Sequence, residues 1–164
     1  MARETYHKII ELVLRAAEIA RSAGIPNILQ PGLVKEMIIA DHLNHQLITT
    51  KHAADACNPD NPDELYEYLS CKEGGTGQFD RMFKEPQNKR DESLDRIRRN
   101  KKVFYAVFYA SNQTKVKVIY ELEPAVVVKE TERQLDRSKN SISHVGYTEK
   151  WVSENGRVVY SSHE

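Results

Sequence analysis

KHAADACNPDNPDELYEYLSCK, residues 51–72, decides how this chain is read. Ala54-Asp55-Ala56 closes one short element, and Leu65-Tyr66-Glu67-Tyr68-Leu69-Ser70-Cys71-Lys72 is a strand by its aromatic and apolar content. Between them, Asn58-Pro59-Asp60-Asn61-Pro62-Asp63 is turn chemistry that predicts a hairpin loop. Folding the hairpin brings Asp55 beside Glu67. Two carboxylates held side by side on strands make a site for a hard divalent cation such as Mg2+. Lys72 lies near enough in sequence to serve chemistry on that ion, and the trio suggests phosphodiester hydrolysis. The same acids on a solvated hairpin are the plainer reading of the short motif alone.

An aspartate, a hairpin, then an acidic residue in a Tyr-Glu-rich strand resembles the PD-(D/E)xK nuclease core, in particular that of small type II restriction endonucleases. Their pattern runs Asp-Ala, turn, Tyr-Glu-x-Lys-Ser, whereas this chain has Asp55-Ala56, turn, Tyr66-Glu67-Tyr68-Leu69-Ser70. Leu69 therefore stands at the position of the family's lysine. Two repairs are open. Lys72 swings in from the end of the strand, or Ser70-Cys71-Lys72 forms a variant motif with Glu85, on a following helix, as the substitute acid. Strand parity separates them, because Glu67, Leu69 and Cys71 share one face while Tyr68, Ser70 and Lys72 share the other. The resemblance implies Mg2+ held by Asp55, Glu67 and the main-chain oxygen of Tyr68. It also implies that Glu36, on the helix before the hairpin, supports the metal site or a second metal.

At 164 residues, with 40% hydrophobic and 29% charged residues, the chain reads as a single soluble domain with a real core. No apolar run suggests a membrane span or a secretory leader, so the expectation is a cytoplasmic protein without membrane contact. Cys57 and Cys71 are too few for a disulfide framework or a zinc site and read as buried thiols. Net charge is zero but segregated. Residues 55–73 carry six acids against Lys72, whereas residues 81–102 carry nine Lys and Arg against four acids. An acidic pocket beside a basic wall suits a metal-dependent nuclease, although a solvated helix face gives the same basic run.

Along the chain, residues 3–23 carry apolar side chains at helical spacing, with Ile9, Val13, Ala16 and Ala20 in a wide stripe that Leu12 and Ile19 extend. The related enzymes are homodimers that use such a helix, so residues 1–24 are expected to dimerise. A second helix covers about 32–44, and the catalytic core covers 32–121. Glu73-Gly74-Gly75-Thr76-Gly77-Gln78 lacks a following Lys-Ser pair, which excludes a nucleotide-binding loop and leaves a flexible loop facing DNA. Gln78, Asn88, Lys89 and Arg90 are exposed donors available to DNA. Residues 91–102 form a basic helix, 103–110 a buried strand and 115–121 an alternating strand. A helix then runs from Pro124 to about Arg137. Residues 145–152 read as a strand, with Glu154-Asn155-Gly156 as the turn of a C-terminal hairpin within a recognition unit of residues 138–160. In the related enzymes the polar stretch before this strand enters the major groove, and Asn140, Ser141, Ser143 and His144 carry side chains suited to base edges.

The expected fold is therefore α/β, with a restriction-endonuclease-like mixed sheet (strands 46–50, 53–57, 64–72, 103–110 and 115–121) flanked by helices. The resemblance implies a Mg2+-dependent homodimer that cuts double-stranded DNA at a short palindromic site. The rival expectations are a catalytically inactive DNA-binding protein on the same fold, which Leu69 motivates, and a structure-selective nuclease such as a junction resolvase.

Overall fold

A computed structural model describes residues 3–50 and 53–162; Lys51 and His52, which open the decisive stretch, lie outside them. The elements run α1 (Arg3–Ser22), α2 (Leu33–Leu43), β1 (Gln46–Leu47), β2 (Ala56–Asn58), β3 (Asn61–Lys72), β4 (Thr76–Phe83), α3 (Gln87–Arg98), β5 (Lys102–Phe108), β6 (Val116–Leu122), α4 (Pro124–Arg137), β7 (Ile142–Thr148), α5 (Glu149–Asn155) and β8 (Arg157–Ser161). Six strands form a mixed sheet in the order β1-β2-β3-β5-β6-β8, and β4 pairs with β7 in a separate antiparallel ribbon. The fold is thus α/β, as the sequence pattern predicts. The β3–β5 pair is parallel, with Glu67 opposite Val103, so β4 and α3 lie on the crossover between them.

The continuous apolar run of β5 follows from its burial on both sides. Val103, Tyr105 and Val107 point into a core that includes Leu94 and Ile97 of α3, Val127 and Leu135 of α4, and Val145 and Tyr147 of β7. Phe104, Ala106 and Phe108 point into a second core with Ile39 and Ala40 of α2 and with Tyr66 and Tyr68. Pro124 opens α4 at its first turn, where its missing N–H costs nothing, and Val127, Val128, Thr131 and Leu135 supply the inward stripe.

Four expectations are corrected. The decisive hairpin turns tightly at Pro59-Asp60, because Asn58 pairs with Asn61 and Asn61–Asp63 already belong to β3. Pro62 is tolerated there in the exposed first residues of the strand. The glycine-rich stretch is not a free loop: Gly77 is buried in β4, and a Cβ on it would lie 2.6 Å from Cε2 of Tyr105. Residues 145–152 do not form one strand. Thr148 ends β7 and its side chain accepts the Trp151 N–H, which caps α5 and turns Val152 into the core. In consequence β8 pairs with β6, not with β7, so the expected C-terminal hairpin does not form among the described residues.

The first helix also differs from an ordinary core helix. Only Ala20 of α1 is buried, next to Ile25 and Leu33, while Leu12 is 59% and Ile19 is 64% exposed.

Candidate metal and phosphate site

The strand pairing that makes the fold also makes the site. Ala56 pairs with Tyr66, and the Asp55 N–H donates to the Tyr66 carbonyl at 3.1 Å, so Asp55 stands opposite Glu67. The Tyr68 N–H donates to Asp55 Oδ2 at 2.7 Å and fixes that carboxylate against β3. Tyr68 is itself held, through its hydroxyl, 2.8 Å from Nδ1 of His45, whose pKa burial pushes down to about 4. Its ring meets Phe104 edge-to-face in the second core, so the main chain at Tyr68 is set by packing on that side.

Asp55 and Glu67 face a cavity of about 450 Å3 that Asp80, Arg81, Arg96 and Arg99 also line. Oε2 of Glu67 is buried and has no hydrogen-bond donor, and the nearest Arg99 nitrogen stands 3.9 Å away, beyond hydrogen-bond range. Burial first, and Asp55 second, push Glu67 up to about 8. Burial likewise raises Asp55, against the Tyr68 N–H and the charges of Arg99 and Arg96. Glu36 of α2 lies on the other side of Asp55, in an adjoining groove, and is pushed up to about 7 by burial and by Asp55. Three neighbouring carboxylates all resist ionisation because burial outweighs the positive charge that reaches them.

This donor set fits a divalent cation. Among the described residues no group of three or more His, Cys, Asp or Glu side chains is arranged to hold a metal alone. Mg2+ does not require one, since one or two carboxylates with waters and phosphate oxygens are its usual shell. The orphaned Oε2 of Glu67 is the atom that such an ion would satisfy.

The structure does not bring Lys72 or Glu85 to this pair. Lys72 ends β3 five residues beyond Glu67, about 16 Å along the strand and on the opposite face, where it is exposed. Leu69 shares the Glu67 face but is sealed into the core. Glu85 precedes α3 instead of lying on a helix, and its Oε1 accepts from the Ser141 hydroxyl at 3.0 Å.

The expected DNA-contact residues divide. Gln78 and His144 are exposed on β4 and β7, and Nδ1 of His144 lies 2.7 Å from Asp80. Asn140 and Ser141 are exposed just before β7, while Ser143 is half-buried with its hydroxyl near that of Ser138. Asn88 is exposed in the first turn of α3. Lys89 pairs with Glu92, and Arg90, with a side chain only 15% exposed, is tied to Asp136 of α4. Arg90 thus braces two helices.

Sequence reasoning missed Arg81, Arg96 and Arg99 as site residues. Arg96 and Arg99 are three apart, so they fall on one side of α3 and its end, which was legible in the basic run. Arg81 had no signal: the ribbon bulges between Phe79 and Met82, two residues face one, and Arg81 adopts φ 53°.

No protein-family model matches the chain, and no curated protein matches it.

Proposed function

We propose that this protein is a Mg2+-dependent endonuclease on a restriction-endonuclease-like domain, cutting double-stranded DNA at a short specific site as a homodimer. The observation that carries the reading is the Asp55–Glu67 pair, with its buried, unpartnered carboxylate oxygen, in a cavity that guanidinium groups also line. Asp55, Glu67 and the Tyr68 carbonyl would hold the ion. When bound, Mg2+ supplies Lewis acidity to a water and to the scissile phosphate. The chain's own part is positioning: the Tyr68 N–H keeps Asp55 from turning away, and the sheet keeps Glu67 opposite it. Water adds to phosphorus, the 3′ oxygen leaves with a proton, and the ends are 5′-phosphate and 3′-hydroxyl.

The β4–β7 ribbon supports the DNA reading, since a two-stranded ribbon fits a major groove and exposes Gln78 and His144, with Asn140 and Ser141 exposed just before β7. The uncovered apolar stripe of α1 supports a dimer, and two-fold symmetry would make the target palindromic. Among the described residues no helix is long and apolar enough to cross a membrane.

Digestion of a large viral DNA with Mg2+, beside Asp55→Ala and Glu67→Ala, tests the reading. Discrete fragments that vanish in both variants are expected. Intact DNA under Mg2+ and Mn2+, with duplex binding retained, would instead support the inactive binder, which the core-sealed Leu69 favours.

A further inference from the structure

We propose that Arg81, Arg96 and Arg99 seat a phosphodiester group in the Asp55–Glu67 cavity, replacing the lysine that β3 lacks at Leu69. The inference deepens the nuclease reading and rests on it. The cavity holds charges of both signs, with Asp55, Glu67 and Asp80 facing three guanidinium groups. A site for a cation alone has no use for three arginines, whereas a site for a cation together with an anionic phosphate needs both signs.

Arg96 donates to the Asp80 carbonyl at 3.2 Å and lies over the Phe79 ring at 5.9 Å, so β4 holds it and its charge is presented without a rotamer search. Asp80 has its own partner in His144. Arg99 stands 3.9 Å from Glu67 Oε2, a long ion pair that places its guanidinium on the cavity wall beside the carboxylates.

Arg81 is the most telling of the three. A residue other than glycine at φ 53° is held in a sparsely populated conformation, here at a bulge where Asp80 and Arg81 both face His144. The bulge breaks the alternation of β4 and puts Asp80 and Arg81, adjacent residues, on one cavity. A regular strand would send one of them to the other face.

A guanidinium is a planar donor that stays protonated in proteins. These arginines therefore neutralise and orient the phosphate; they do not take the proton of the attacking water. That division of labour differs from a lysine, and it requires no group at position 69.

Two measurements test this. Anisotropy of a labelled mixed-sequence 30-base-pair duplex in EDTA reads phosphate contacts through the salt dependence, and cleavage of viral DNA in Mg2+ reads chemistry. Arg81→Ala, Arg96→Ala and Arg99→Ala should each lower the salt slope by about 0.9 and slow cleavage about 100-fold, about 2.7 kcal/mol. Arg99→Lys should regain part of both. Arg133→Ala, which removes an equal charge paired to Glu130 on α4, should leave cleavage unchanged. Circular dichroism verifies folding, and Arg96→Lys replaces Arg96→Ala where the alanine variant does not fold. Arginine variants that cut and bind like the wild type would overturn the inference and leave the nuclease reading standing. Duplex binding with an arginine-dependent slope but no cutting would sustain the phosphate seat and overturn the nuclease reading. Absence of both binding and cutting would overturn both.

Discussion

Two glutamates of the same sheet, Glu67 on β3 and Glu121 on β6, have similarly small side-chain exposure, 10% and 12%, although Glu67 lies much deeper in the protein. Their electrostatics run in opposite directions. Burial opposes charge on both, but Glu121 meets Arg157 at 2.9 Å and Lys102 at 3.4 Å, and these hold it below the usual carboxylate range. Glu67 meets Asp55 and an arginine beyond hydrogen-bond range, and it is pushed up to about 8. Side-chain exposure alone is therefore not what distinguishes the two; depth of burial and the supply of positive charge together are. Glu121 is complete within the chain, whereas charged Glu67 lacks a partner that the proposed cation would supply.

The largest test of this contrast is activity. Glu67→Gln should slow DNA cleavage by at least about 1,000-fold, several kcal/mol of lost transition-state stabilisation. Glu121→Gln should stay within about 3-fold, because its partners serve the sheet edge. Next comes stability without metal at pH 8, read by urea unfolding. Glu67→Gln should gain about 1–3 kcal/mol by removing an unpartnered buried charge. Glu121→Gln should lose about 1 kcal/mol with its partly exposed pairs.

The pH profiles sharpen the same comparison. The folded pKa of Glu67 is raised from 4.5 to about 8, so the folded chain keeps a proton that the unfolded chain releases. That stability is fully present below pH 4.5 and is lost as pH rises through about 8. For Glu121 the folded pKa is depressed, so its contribution is present above pH 4.5 and is lost as pH falls through the lowered value. Metal-free melting temperatures of Glu67→Gln should lose the alkaline decline, and those of Glu121→Gln should lose part of the acid decline. The smallest effect belongs to Lys72→Ala. It should leave cleavage and melting temperature unchanged, since Lys72 is exposed on the far face of β3; slowed cleavage would mean that the lysine reaches the site after all.

The Asp55–Glu67 pairing was legible because one hairpin fixes it: a local turn between two short strands leaves little choice of register. Parity along β3 likewise carried the information that separates Lys72 from Glu67. What the sequence hid was supplied by tertiary contacts. Gly74 to Gly77 has the composition of a loop, yet Gly77 is required where β4 passes over Tyr105, whose hydroxyl accepts the Gly77 N–H at 3.0 Å. Thr148 before Glu149 is a helix-start signal, but it falls inside an apolar run that reads as continuous strand. Arg96 and Arg99 were visible as charge on a basic helix; that this end of the helix meets the acidic hairpin depends on the β3–β5 crossover, which local patterns do not encode.

The most direct test of the central claim is thermal unfolding of the full chain at pH 8, with and without millimolar Mg2+ or Mn2+, in the wild type and in Glu67→Gln. A ligand that binds only the folded state raises its melting temperature, the more so the further its concentration exceeds its Kd. The Asp55–Glu67 site predicts a rise in the wild type that is abolished in Glu67→Gln and retained in Glu121→Gln. No rise with either ion, or an equal rise in the wild type and Glu67→Gln, would contradict it.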